Sequence, residues 1–265
     1  MCLLVLAWNA HPRYRLVVAA NRDEYHDRPA APLAPWPDPA GLLAGRDLRA
    51  GGAWLGIDAR RRFGVVTNFR DLVSAPAGAP TRGELIPRYL GSRQDPGAYL
   101  ETLESEAASY GGFNLLLADG ESLWYASNRG MPFARRLPPG VYGLSNERLD
   151  TPWPKLRRVR QGFERWLLHG NPQDRGLFAL LEDRTPAGEE EDLPSTGVAP
   201  EWERTLSSPF VLNERYGTRC STIVAIEPAG HCYLAERRFD ATGARSGESE
   251  YRLAPGAWPG PNATA

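Results

Sequence analysis

Short apolar runs bounded by polar residues open the chain and predict strands over about 2–8 and 15–20, then 53–58 and 63–68. The last two flank a charged turn, Ala59-Arg60-Arg61-Arg62. Pro29, Pro32, Pro35, Pro37 and Pro39 crowd the segment between the first and second pairs. Proline cannot donate to a sheet ladder, so this segment is expected to run over the surface as a loop that could cover a site. Helical spacing follows. Thr81-Arg82-Gly83-Glu84 fits a capping box for a helix reaching about Leu90. Asp95-Pro96 begins a second, with Tyr99, Leu100, Leu103 and Ala107 on one face. A hairpin is predicted over 113–118 and 122–127, turning at Asp119-Gly120. Thr151-Pro152 is expected to cap a long amphipathic helix whose stripe is Leu156, Val159, Phe163, Trp166 and Leu167, and a shorter helix covers about 172–181.

Residues 185–203 are acidic and apolar-poor around Glu189-Glu190-Glu191-Asp192, which predicts an exposed loop. Strands return over 219–227 and 232–239, and a frayed tail follows Pro255. Strands, helices, then strands, with no linker and no repeat, predict a single α+β domain over 1–265, a helix layer on mostly antiparallel sheet.

Charge narrows the function classes. The net charge of −1 argues against a nucleic-acid or anionic-membrane binder, and only one of the 31 basic residues, Lys155, is lysine. No stretch approaches the ~18–20 apolar residues that span a bilayer. The N-terminus lacks a basic segment and its apolar run stops at Trp8-Asn9, so a cytoplasmic location is expected. The three cysteines show no CxxC spacing, and His11, His26, His169 and His231 are scattered, so no metal site is expected. Cys220 and Cys232 fall on two arms of one hairpin, with Cys220 facing a residue near 239, which argues against a disulfide between them.

The remaining chemistry gathers at a few positions. Cys2 is either a small buried hydrophobe or, once Met1 is removed, a nucleophile beside its own α-amine, which titrates near pH ~7.7–8.0. Asn21-Arg22-Asp23-Glu24 directly follows the strand at 15–20. Alternation puts Asn21 and Asp23 on one side and Arg22 and Glu24 on the other. A guanidinium near Cys2 would favour the thiolate and a carboxylate would orient the amine; the plain alternative is a surface ion-pair cluster. Asn68 and Asn146 each end a short apolar or glycine-containing run and are either oxyanion donors or turn asparagines. Arg219 starts a late strand and could line the same site. There is no GxSxG, P-loop or HExxH motif.

Cys2, the tetrad at 21–24, Gly52-Ala53-Trp54-Leu55-Gly56, Val66-Thr67-Asn68-Phe69-Arg70, Gly143-Leu144-Ser145-Asn146 with Trp153-Pro154-Lys155, and Tyr216-Gly217-Thr218-Arg219 form an ordered set. As a set it resembles the NRDE proteins, also called the transport and Golgi organisation protein 2 family, over residues 2 to about 226. The resemblance implies the αββα sandwich of N-terminal nucleophile hydrolases, close to choloylglycine hydrolases and penicillin V acylases, which cleave amides with an N-terminal cysteine. It makes Cys2 the nucleophile, Asn68 and Asn146 the oxyanion asparagines and Arg219 the late strand arginine. The tetrad departs from the acylase pattern, in which arginine precedes asparagine and the aspartate lies further on. The resemblance also brings an association with haem trafficking and with lipid or acyl-CoA homeostasis.

The expected function is therefore an amide hydrolase of small acylated substrates that needs no cofactor. Arg22 and Arg219 would steady the thiolate or a substrate carboxylate, and Asp23 would orient the amine. Asn21, Glu24, Trp36 and Trp54 are the expected binding residues. The alternative is a carrier of haem or an acylated lipid, with Cys2 or a histidine on the iron and Trp36 and Trp54 as walls.

Overall fold

The computed structural model describes residues 2–38, 41–71, 73–173, 175–188 and 193–260, so the acidic run at 189–192 and the last five residues lie outside the described residues. In chain order the strands are β1 (Cys2–Trp8), β2 (Leu16–Tyr25), β3 (Ala30–Pro35), β4 (Leu42–Asp47), β5 (Leu55–Asp58) and β6 (Phe63–Asn68). Then come β7 (Phe113–Ala118), β8 (Leu123–Ser127), β9 (Ala134–Leu137), β10 (Gly140–Leu144), β11 (Tyr216–Ile226), β12 (Cys232–Phe239) and β13 (Arg245–Leu253). The helices are α1 (Leu85–Gly91), α2 (Pro96–Glu104), α3 (Pro154–Leu167), α4 (Gly176–Leu181) and α5 (Pro200–Thr205). The fold is α+β with mostly antiparallel sheets, and it divides into two compact units, each with one sheet and one helix layer.

Unit one takes residues 1–27, 139–228 and 232–252. Its six strands run in the order β10-β1-β2-β11-β12-β13. Alternate residues Leu3, Val5, Ala7, Val17, Ala19, Ile223 and Ala225 pack against Trp153, Leu156, Val159, Phe163 and Leu167 and against Leu177, Phe178 and Leu181. Burying each such Leu or Phe contributes about 1.5–3 kcal/mol, which is what holds α3 and α4 on one face of the sheet. The stripe expected from helical spacing is this buried face. Its start is not where the sequence placed it. Pro154 forces the residue before it into extended backbone, so Trp153, at φ −60 and ψ 144, caps the helix and Thr151-Pro152 stay outside it.

Unit two takes residues 28–138, 229–231 and 253–265, with strand order β3-β4-β5-β6-β7-β8-β9. Leu85, Ile86, Tyr89, Tyr99, Leu100 and Leu103 of its helices pack on Val66, Phe113, Leu115 and Leu117. The capping box is half made: Thr81 accepts from the Gly83 N–H at 3.3 Å, while Glu84 accepts from the Tyr110 hydroxyl. The proline-rich segment is a strand and not a loop. β3 lies at the sheet edge with a break in register between Ala31 and Ala34, and an edge strand tolerates the N–H groups that Pro32 and Pro35 lack. β4 was not foreseen. Its Gly45 leaves room for Trp54, whose ring would lie 2.3 Å from any Cβ there.

The tetrad does not end its strand either. β2 runs on to Tyr25, paired on one side with β1 and on the other with β11, so residues 21–24 sit inside the sheet.

Candidate active site

Register decides which side chains meet. Cys2 on β1 pairs with Arg22 on β2, and Arg22 pairs with Cys220 on β11. Directly opposed residues of antiparallel strands share a face, so these three project away from the face that α3 and α4 cover. The tetrad alternates accordingly. Asn21 turns toward the helix side, where its Nδ2 donates to the carbonyls of Leu181 at 2.8 Å and Pro209 at 3.0 Å. It also accepts from the Ser221 hydroxyl at 2.6 Å. Asp23 accepts from the Thr218 hydroxyl at 2.7 Å, and its backbone carbonyl accepts from Tyr216 Oη at 2.8 Å. On the other face Arg22 Nη2 lies 3.8 Å from Glu24 Oε2.

Cys2 is held at both ends of its own backbone. β10 pairs Leu144 with Leu4, and continuing that register carries Ser145 and Asn146 alongside the start of β1. The Cys2 N–H donates to Asn146 Oδ1 at 3.3 Å, and its carbonyl accepts from Ser145 Oγ at 3.0 Å. Asn146 has no exposed surface, so this amide is fixed by its surroundings. Cys2 as a residue is half-buried. Burial pushes the thiol above its ordinary value, and the Asp23 carboxylate pushes the same way. The amino-terminal charge, the Arg22 guanidinium and the Asp23 backbone N–H pull it down without cancelling the rise. At neutral pH Cys2 is therefore a thiol, and attack on a carbonyl requires a base at hand.

Arg219 occupies the irregularity of β11 between Thr218 and Cys220. Its Nη1 donates to the carbonyls of Tyr25 at 2.9 Å and His26 at 3.1 Å. Burial, followed by the charge of Arg22, pulls its pKa below the ordinary value, though a guanidinium remains charged.

Unit one thus brings together Cys2, Arg22, Asp23 and Asn146, with Glu24 and Arg219 beside Arg22 and Asn21 tying β2 to the helix side. Asn68, Trp36 and Trp54 belong to unit two. Asn68 ends β6 opposite Phe113. Trp36 is only 5% exposed, donates its indole N–H to the Ala44 carbonyl at 3.0 Å, and has the Arg46 guanidinium 4.3 Å from its ring centre. Sequence reasoning named Ser145 and Thr218 only within the family motifs and Cys220 only among the cysteines, and assigned none of the three to the site. Among the described residues no group of three or more His, Cys, Asp or Glu is placed to hold a metal, and none of Cys2, Cys220 and Cys232 is in a disulfide. No described helix is long and apolar enough to cross a membrane.

A family model described as Transport and Golgi organisation 2 matches residues 1–241. The Transport and Golgi organization 2 homolog of Mus musculus is 34% identical over 260 residues, which cover 89% of this chain and 92% of that protein. The Homo sapiens homolog is 34% identical over 258 residues, covering 89% and 92%, and the Drosophila melanogaster protein is 26% identical over 262 residues, covering 89% and 91%. Among solved structures, the Caenorhabditis elegans N-acylethanolamine-hydrolyzing acid amidase ortholog aligns with a TM-score of 0.49 at 12% identity, covering 86% of this chain and 93% of that one. A likeness that slight carries no argument about function.

Proposed function

The chain belongs to the Transport and Golgi organisation 2 family, and from the geometry around Cys2 we propose that it is an N-terminal-cysteine amide hydrolase acting on a small acylated substrate. One observation carries the reading. The backbone nitrogen of Cys2, the atom that becomes a free α-amine when Met1 is removed, is held by the buried Asn146 amide at 3.3 Å.

An amine that donates one hydrogen to Asn146 Oδ1 keeps its lone pair for the thiol proton. The amine takes that proton as sulfur attacks the acyl carbon, giving a tetrahedral oxyanion. It returns the proton to the departing nitrogen as the C–N bond breaks and a thioester remains. Water, deprotonated by the same amine, then releases the acid. Asn146 supplies an amide donor for the oxyanion. Such a donor is worth about 2.7–4 kcal/mol in the transition state. Arg22, in register with Cys2, favours developing charge on sulfur. Asp23 acts through its backbone N–H at the sulfur, with its carboxylate engaged by Thr218.

A carrier of haem that used Cys2 would bind iron through its thiolate, and burial opposes that form. The test is incubation of Met1-processed protein with a panel of N-acyl amides, read by intact mass and by amine release. A thioester adduct present in the wild type and absent in Cys2→Ala supports the reading. No adduct and no amine from any substrate, together with a Soret shift on haem addition that Cys2→Ala abolishes, would transfer it to the carrier.

A further inference from the structure

The row that starts at Cys2 does not stop at Arg22. Cys220 pairs with Arg22, and Arg238 on β12 pairs with Cys220, so four adjacent strands present thiol, guanidinium, thiol and guanidinium on one face. Glu236 pairs with Thr222 and shares the parity of Arg238, which sets it diagonally to Cys220. The group is deeply placed: Glu236 is 1% exposed, Cys220 4% and Arg22 6%. Arg22 has the Glu24 carboxylate at 3.8 Å, and Glu236 is the more deeply buried carboxylate on this face, diagonal to Cys220 and beside the partly exposed guanidinium of Arg238. Arg238 Nη1 lies 3.6 Å from Glu236 Oε1 and is steadied by donating to Ser249 Oγ at 2.7 Å on β13. The Cys220 thiol hydrogen-bonds Glu236. Burial and then Glu236 push that thiol well above its ordinary value, so it stays a protonated donor.

We propose that Glu236, acting through Cys220, is a positioning residue for Cys2: its carboxylate divides itself between Arg22 and Arg238 and so limits how much of the Arg22 charge reaches the Cys2 sulfur. The charged and titratable groups around this row are the amino-terminal charge that acts on Cys2, Arg22, Asp23 and Glu24 on β2, Arg219 and Cys220 on β11, Glu236 and Arg238 on β12, and Tyr251 on β13, whose hydroxyl is affected by both Arg238 and Glu236. The inference rests on Cys2 being the reacting thiol. Its readout is alkylation, which needs no amide cleavage, so its failure is distinguishable from failure of the hydrolase reading.

The experiment measures the rate of Cys2 modification by iodoacetamide against pH on the full chain, with the modified residue located by mass spectrometry. Glu236→Gln releases Arg22 toward Cys2 and should lower the titration midpoint by about half a pH unit to one pH unit. Cys220→Ala removes the donor that engages Glu236, leaves more of its charge on Arg22, and should raise the midpoint. Cys220→Ser keeps a donor and should restore the wild-type value to within about a fifth of a pH unit. A merely structural role for Glu236 would move the melting temperature and not the midpoint. Midpoints of Glu236→Gln and Cys220→Ala that both match wild type would overturn the proposal. If Glu236→Gln does not fold, the opposed outcomes of Cys220→Ala and Cys220→Ser decide it alone: a raised Ala midpoint with Ser at wild type supports it, and two indistinguishable midpoints sink it.

Discussion

The two units are assembled alike, an antiparallel sheet with helices on one face, yet they bury opposite kinds of chemistry on the other face. In unit two that face carries a neutral polar row. Asn114 pairs with Thr67 and with Ser127, donates to Thr67 Oγ1 at 3.3 Å, and accepts from the Tyr125 hydroxyl at 2.7 Å. Neutral hydrogen bonds of this kind contribute roughly 0.5–1.5 kcal/mol each and leave nothing to titrate near neutrality. In unit one the equivalent face carries Cys2, Arg22, Cys220 and Glu236, groups whose charges act on one another. Burying charge costs stability unless it is paired, and the same burial moves thiol pKa values. One architecture thus yields a stiff polar row in one place and a chemically poised one in the other.

Substitutions can break that contrast. The largest effect is expected from Cys2→Ala, which should abolish the acyl adduct altogether in an acylation assay while leaving the fold intact. Asn146→Ala removes the acceptor on the Cys2 nitrogen and an oxyanion donor together, and single-turnover acylation should fall about 100- to 1,000-fold. Arg22→Met removes the cation that lowers the Cys2 pKa. The midpoint, already above the ordinary thiol value, should rise further, and alkylation at a fixed pH below it should slow by about tenfold for each pH unit that the midpoint climbs. In unit two, Asn114→Ala removes the Asn114 hydrogen bonds to the Tyr125 and Thr67 hydroxyls and should cost about 1–3 kcal/mol in denaturant melts. The same variant should leave the Cys2 midpoint where it was. A midpoint that moved with Asn114 would end the distinction between the two rows.

Much of this was legible along the chain, for reasons that differ by residue. The Leu3–Trp8 and Leu16–Ala20 runs are apolar throughout because both faces of those strands are buried. β13 escaped notice because Arg245–Leu253 is polar apart from Tyr251 and Leu253, even though Ser249, Tyr251 and Leu253 are its alternating buried positions, the pattern of an edge strand. Cys2 and Asn146 were legible as local motifs. The row behind Arg22 was not. Counting back from the Tyr216–Tyr25 pair without interruption puts Arg219 opposite Arg22. The irregularity in β11 puts Cys220 there, while Arg219 reaches the Tyr25 and His26 carbonyls. A one-residue change of register between strands some two hundred residues apart leaves no local trace in the sequence.

The central claim is that the Cys2 nitrogen is a free amine, and intact mass of the isolated protein after treatment with 2-cyanobenzothiazole, which condenses with an N-terminal cysteine, tests it most directly. The single lysine, Lys155, is 1% exposed, so a general amine reagent run in parallel reports the α-amine with little background. The account predicts a chain lacking Met1 and carrying one condensation adduct that Cys2→Ser abolishes. A chain that retains Met1 and takes no adduct would contradict it.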